Sequence, residues 1–540
     1  MRPLGVAAAA LAAVTIAGCS VADETDRPGT PGRGGHLTYL DAEALASMQI
    51  QVSYWQNSLP KDQVLDRLVY QDPKTFRFVP WIAEKWTVDE SGRVYRFTIR
   101  DGVSYSNGQP LDADSVKRNL DWQFDGDKAK GITRNPTFPD AGTVTADNAT
   151  RTVTVTLDEP YAPFIPVLSV NTAGLVADRT IDASKEAQSV PTNMIGSGPF
   201  YVESEVPDKK VVLAKRRGYN WAPATAPHQG EAYLDTVTII PVKEDSVRVG
   251  ALRAGQADAI RYAQPPDEKL LRREGFDVRG LRTPGLANTL DVRQTAPFLR
   301  DVNVRKAIGY GIDRQQILDT LYTDNWRAAQ NIVTRNFPGY ADRSDVVRYD
   351  PQQAGRLLDD SGWVSRDGEG YRTKDGQRLS VLIYVDVYDH TARPMYELIQ
   401  RQLRRVGIDL EVRQTDFANY PSASVQDAVG LRRNGWPCPD PVRLWQNYDS
   451  KGGDLYALKG SDPAIDRLLR AQLVENDPRR RAELVREYTN YVIDNAYTIP
   501  LLEDTQIFGV APRVRGLANA ANSVPWFYDT WIDDGSGGRG

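Results

Sequence analysis

A chain of 540 residues exceeds what one compact core holds, so two or more lobes are expected. Its makeup, 41% hydrophobic and 25% charged, is that of an ordinary globular protein. With 66 Lys+Arg against 71 Asp+Glu, a net charge of −5 and no long basic stretch, the sequence argues against a nucleic-acid partner, which would require a phosphate-neutralising surface.

The N-terminus carries the first local signal. Arg2 precedes residues 4–17, an apolar, small-residue-rich and uncharged run. It is shorter than the about 20 residues of a spanning helix and the right length for the hydrophobic region of a secretory signal. It ends in Ile16-Ala17-Gly18-Cys19, which resembles the bacterial lipobox with Ile where Leu is usual. Residues 1–18 therefore read as a signal peptide and Cys19 as a lipidated mature N-terminus. An ordinary cleaved signal with an incidental Cys is the plainer alternative. Residues 19–35, polar and rich in Gly and Pro, favour the lipoprotein, because they form a tether rather than a core. Extended, the tether would hold the folded body up to about 50 Å from the bilayer, and multiple acyl chains would make the anchor stable. Cys438 is the other cysteine, so no internal disulfide is expected and its thiol reads as a small buried hydrophobe.

Further along, Tyr95, Phe97 and Ile99 alternate with Arg96, Thr98 and Arg100, a half-buried strand, and Val153, Val155 and Leu157 alternate with threonines likewise. Val237, Ile239 and Pro241 suggest another strand, with the proline placing its end near a sheet edge. Helices are predicted around residues 63–70 and after Asp112, an N-cap. In the second half, residues 379–385 form an apolar strand and Thr391 caps a helix with Met395, Leu398, Ile399, Leu403 and Val406 on one face. Gly407 ends that helix, and Ile408, Leu410 and Val412 begin a following strand. This β-α-β unit implies two parallel strands with a right-handed crossover. Ligands approach the carboxyl ends of such strands, which points to Tyr388 and His390. Ser461 with Pro463 and Asp477 with Pro478 signal two later helices.

Several motifs succeed one another along the chain: Val79-Pro80-Trp81-Ile82-Ala83-Glu84-Lys85-Trp86, then Phe97-Thr98-Ile99-Arg100-Asp101-Gly102-Val103, then Asn107-Gly108-Gln109-Pro110. Gly196-Ser197-Gly198-Pro199-Phe200 and Leu252-Arg253-Ala254-Gly255-Gln256-Ala257-Asp258 follow, and the longest runs from Pro297-Phe298 through Val304-Arg305-Lys306-Ala307-Ile308 to Ile312-Asp313-Arg314. In this order they resemble the bacterial extracellular solute-binding proteins of family 5, the oligopeptide, dipeptide and nickel receptors of ABC importers. Physically they read as scaffold: Gly198-Pro199 suits a turn feeding a strand, and Asp301 and Asp313 cap consecutive helices.

The resemblance implies an α/β, periplasmic-binding-protein-like fold of two lobes, of the type called cluster C, with an extra subdomain in the first lobe. The first lobe would span 36–285 with the subdomain near 75–185, and the second 286–498. The chain would return to the first lobe over 499–533, leaving a disordered tail at 534–540. It also implies a monomer that encloses a small ligand, foremost a peptide, and delivers it to membrane permease subunits. A nickel chelate, sugar or other small nutrient is the alternative.

In peptide-binding relatives an Asp of the second lobe meets the ligand's α-ammonium, and the stretch Gly435-Trp436-Pro437-Cys438-Pro439-Asp440-Pro441 corresponds to that place. Asp440 with Trp436 would suit a cation, as carboxylate and indole face together. Asp440 as a turn residue between prolines is an equal reading. Tyr54, Trp55 and Gln56 fall where relatives line the first-lobe wall, and Tyr262 and Gln264 are placed similarly. Arg293 could meet a ligand carboxylate bidentately, or be a solvated strand-end charge. No catalytic residue, cofactor or metal site is expected. His36, His228 and His390 are isolated, no Gly-x-Ser-x-Gly elbow or Walker loop occurs, and a cell-surface hydrolase or chaperone-like protein is the remote alternative.

Overall fold

The computed structural model describes residues 31–52, 58–386, 392–416, 419–438, 440–450 and 462–534. Tyr54, Trp55, Gln56, Tyr388, His390, Thr391 and Cys19 lie outside the described residues, as does nearly all of the predicted tail.

Two large sheets organise the chain. The first has seven strands in the order Asp277–Arg282, Thr505–Val510, Ala259–Arg261, His36–Asp41, Thr236–Pro241, Lys210–Lys215 and Phe200–Val206. His36–Asp41 runs parallel to both of its neighbours, and the remaining pairs are antiparallel. The second has six strands, ordered Arg327–Ala328, Thr498–Glu503, Gly285–Val292, Val429–Pro437, Ser380–Asp386 and Asp409–Thr415. Each sheet has its own hydrophobic core, as two lobes require. A third, four-stranded antiparallel sheet joins Ala83–Val88, Val94–Ile99, Thr152–Leu157 and Gly142–Asp147, with helix Ala113–Asp125 packed on it. Its alternation is as the sequence indicates: Tyr95, Phe97, Ile99, Val153, Val155 and Leu157 are all buried.

The β-α-β unit forms as expected. Ser380–Asp386 and Asp409–Thr415 pair in parallel, joined by helix Ala392–Val406, which ends at Gly407 with φ +91°. The capping carboxylates also act as read. Asp112, Asp301, Asp313 and Asp477 each accept from a backbone N–H in the first turn of their helix.

Three expectations are corrected. Helix Ser58–Val64 ends where a helix over 63–70 was predicted to begin, and Val69–Gln71 is a strand. The carbonyls that would build that helix are taken from outside: Val64 O by Gly198 N, Asp66 O by Leu175 N, Arg67 O by Ile82 N and Leu68 O by Ala83 N. Strand Thr236–Pro241 is internal rather than at an edge, because Pro241 is its last residue and interrupts no ladder beyond it. Finally, the described cap of helix Pro463–Val474 is Asp462, whose side chain accepts from Ala464 N at 3.0 Å; Ser461 lies outside the described residues.

The chain passes between the sheets twice, once over Thr283-Pro284 and once at Asp504. Thr283 N donates to Asp504 O at 3.2 Å, so the two crossings are tied to each other. Strand Thr498–Glu503 belongs to the second sheet, which puts the return crossing five residues beyond 499.

Candidate functional site

The crossings lie at the base of an inter-lobe crevice, because the carboxyl ends of several strands converge there. Strands His36–Asp41, Ala259–Arg261 and Asp277–Arg282 end on the first-lobe side. Strands Val429–Pro437 and Thr498–Glu503 end on the second-lobe side.

On the first-lobe side, Tyr262 continues its strand in a strained conformation, φ +60°, which a side-chain-bearing residue adopts only when its surroundings impose it. The imposition is visible. Tyr262 N donates to Ile507 O at 2.7 Å, and Arg248 donates to Tyr262 O at 3.0 Å. The Arg261 guanidinium lies 4.4 Å from the Tyr262 ring and is itself paired with buried Asp41 at 2.7 Å. Burial pushes the Tyr262 hydroxyl up to about 12; Arg261 opposes this, while Glu43, Asp504 and Asp41 reinforce it. The phenol therefore stays neutral. Gln264, half-buried, stands just before helix Pro265–Arg273, and its carbonyl accepts from Asp267 N and Glu268 N.

On the second-lobe side, Trp436 is half-buried, with the Arg443 guanidinium 4.5 Å from its ring. Asp440 is buried and bidentate with Arg481 through two 2.6 Å bonds, and Val442 N adds a third at 2.8 Å. Its charge is thus balanced within the protein. Helix Pro478–Asp494 supplies Arg481, which the sequence reading did not single out, and nothing in local spacing links it to Asp440.

Asp440 and Arg481 line a cavity of about 260 Å³ whose walls belong to both lobes. Gln71, Phe76, Phe78 and Ala162 come from the first lobe and its subdomain, and Phe337 and Pro478 from the second, with Pro284 of the crossing between them. The lobes touch at its rim: Ala162 N donates to Leu473 O at 2.7 Å, and Val442 packs within the first-lobe core.

Arg293 lies elsewhere. It ends strand Gly285–Val292, roughly 26 Å along that strand from the crossing. Its guanidinium donates to Val425 O and Val429 O, both at 3.1 Å. Of the predicted residues that the structure describes, Asp440 lines the cavity, whereas Trp436 on the second-lobe side, Tyr262 and Gln264 on the first-lobe side, and Arg293 are not part of its lining. A further contact between the lobes is made by Glu268 of the first lobe, which accepts from Thr323 Oγ1 at 2.8 Å and from Asn325 Nδ2 at 2.5 Å. Among the described residues no group of three or more His, Cys, Asp or Glu could hold a metal ion, and no helix is long and apolar enough to cross a membrane.

Two α/β lobes, joined by paired crossings and enclosing a cavity between them, define a hinged binding protein. Residues 77–454 match the bacterial extracellular solute-binding proteins, family 5, and the chain belongs to that family, which is one of solute-binding proteins and not of enzymes. It is similar to the dipeptide-binding protein of Escherichia coli, 24% identical over 488 residues, covering 86% of this chain and 87% of the relative. It is 25% identical over 506 residues to a glutathione-binding protein of Salmonella paratyphi A, covering 89% and 90%. In fold it resembles NikA from Brucella suis, solved with Fe(III)-EDTA, at TM-score 0.81, 21% identity and coverage of 92% and 100%. It also resembles DppA from Helicobacter pylori, solved with the peptide STSA, at TM-score 0.77, 20% identity and coverage of 93% and 99%.

Proposed function

We propose that this protein captures a short peptide between its lobes and delivers it to the permease of an ABC importer, without catalysing a reaction. The supporting observation is the cavity itself, walled by aromatic side chains of both lobes with a neutralised Asp440–Arg481 pair at its side. A solute seated there contacts both lobes at once and so favours the closed arrangement over the open one. Mixed apolar and hydrogen-bonding walls suit a peptide, whose amides need partners and whose side chains need apolar surface. In this reading Asp440 lines the cavity, and Trp436, Tyr262, Gln264, Tyr54, Trp55, Gln56, Tyr388 and His390 stand as further candidate solute contacts. Asp440 acts through its pairing with Arg481 rather than as a bare counter-charge for an ammonium group, and Arg293 is assigned to the scaffold.

The same proposal divides the chain into a first lobe over 36–283, a second over 284–503 and a return over 505–533. It makes the protein a monomer held at the outer face of the membrane by lipid on Cys19. Mass spectrometry of solute released from freshly purified protein, with a thermal-shift screen against mixed peptides, tests the ligand. A peptide in the released fraction and a raised Tm are expected. A released nickel chelate or sugar, with no response to any peptide, overturns the peptide assignment.

A further inference from the structure

One flank of the crossings carries an uneven charge balance. Glu503, the last residue before the return crossing, is 2% exposed. Arg327 stands directly opposite it in the antiparallel pairing, on the same face of the sheet. Arg335 Nε lies 3.3 Å from Glu503 Oε1. From the first lobe comes Arg282, the last residue before the other crossing, which donates to Asn325 O at 3.4 Å, two positions from Arg327. Three guanidinium groups thus gather around one buried carboxylate. Asp342, which Arg335 also faces, is exposed. Burial, with Arg327 and Arg335 close by, pulls the Arg282 guanidinium below its ordinary value, and Glu503 only partly opposes this.

Two donors here have nothing to donate to. Arg282 Nε and the Tyr340 hydroxyl are both buried without a hydrogen-bond partner, and the Arg335 guanidinium lies 6.0 Å from the Tyr340 ring. Glu503 Oε1 is likewise unmet, but three guanidinium groups outnumber that one carboxylate, and buried donors are rarely left unmet, so the balance favours an anion.

We propose that this flank of the hinge binds a small oxyanion, held by Arg282 of the first lobe together with Arg327, Arg335 and the Tyr340 hydroxyl of the second. Because its donors come from both lobes, occupancy couples the anion to the angle between them. Arg335 immediately precedes Asn336 and Phe337 of the cavity wall. A free inorganic anion and the carboxylate of a captured solute are therefore two sources of the same chemistry. The inference does not depend on the solute being a peptide.

The test is thermal unfolding of the full chain in inorganic phosphate against chloride at matched ionic strength. Phosphate is expected to raise Tm saturably where chloride does not. Arg335→Gln, at an exposed position, is expected to weaken the apparent phosphate affinity at least tenfold. Arg282→Gln should do the same, and Arg356→Gln, exposed on helix Pro351–Asp360 and outside this group, should not. Equal responses to phosphate and chloride, or an undiminished phosphate response in Arg335→Gln, overturn the proposal. A second arm separates the sources. Phosphate that weakens binding of trialanine but not of its C-terminal amide assigns the donors to the solute's carboxylate. A phosphate response without effect on either assigns them to a free anion, and both outcomes uphold the site.

Discussion

Asp440 and Arg481, 41 positions apart, meet through two 2.6 Å bonds, with side-chain exposures of 5% and 11%. Removing one partner strands the other in a buried place. Arg481→Ala is therefore expected to lower unfolding stability by about 3–5 kcal/mol. Arg481→Lys should recover only part of this, because an ammonium cannot match both carboxylate oxygens in the same plane. The double variant Asp440→Ala/Arg481→Ala should be less damaged than the sum of the singles. Urea denaturation of the wild-type protein, the three single variants and the double variant checks this; additive single effects would show that the two groups do not depend on each other.

Asp291 supplies a pH-dependent contribution. It sits in the middle of the second sheet, accepting from the Tyr448 hydroxyl at 2.9 Å, Asn434 Nδ2 at 2.9 Å and Thr498 Oγ1 at 3.0 Å. Burial outweighs these donors and raises its carboxyl to about 6 from 3.8. Between those values the folded protein holds a proton that the unfolded chain has lost. The stabilisation is complete below about pH 4 and is lost as pH rises through about 6. Asp291→Asn removes this dependence. Going from pH 4 to pH 7, the stability difference should move in the variant's favour by roughly 2–3 kcal/mol. A difference that stays constant across that range would contradict it.

What could be read in advance was local. A capping carboxylate announces its helix within three residues, and Asp112, Asp301, Asp313 and Asp477 all do so. Residues 63–70 misled because their helical spacing is real but their carbonyls are claimed by chain segments over 100 residues away in two of four cases, Leu175 and Gly198. The site fared likewise. Trp436 and Asp440 were visible as an aromatic and an acid close in sequence, whereas Arg481, which decides what Asp440 can do, arrives from another helix. Arg293 looked free to meet a ligand because nothing in its own segment shows that Val425 and Val429 turn their carbonyls toward it.

Cys438 directly follows strand Val429–Pro437 and is 6% exposed, and burial pushes its thiol up to about 12, Asp440 adding to the shift and Arg443 opposing it. The thiolate is the reactive form. Native protein treated with iodoacetamide at pH 8 should therefore leave the peptide containing Cys438 unmodified by mass spectrometry, whereas denatured protein should be alkylated fully. Rapid native labelling would mean that the surroundings of Cys438 open far more readily than its burial implies.

Gly285 tests the hinge directly. It follows the first crossing at φ +142°, and a Cβ there would lie 2.3 Å from Trp436 O and 2.6 Å from Cys438 N. Both are backbone atoms, so no side-chain rotation relieves the clash, and the crossing itself must shift. Thr334 Oγ1 accepts from Gly285 N at 3.1 Å, and Pro284 O accepts from Cys438 N at 3.0 Å, which fixes the position from either side. Gly285→Ala is expected to cost about 2–4 kcal/mol and to weaken solute binding further, since both lobes are oriented through this residue. Gly376 is the control: its φ is +73° with nothing within 4 Å of an added Cβ, so Gly376→Ala carries the conformational cost alone, about 1–2 kcal/mol, with binding unchanged. If the two variants lose the same stability and both bind solute normally, the approach of Trp436 and Cys438 to the crossing is not what sets the lobes.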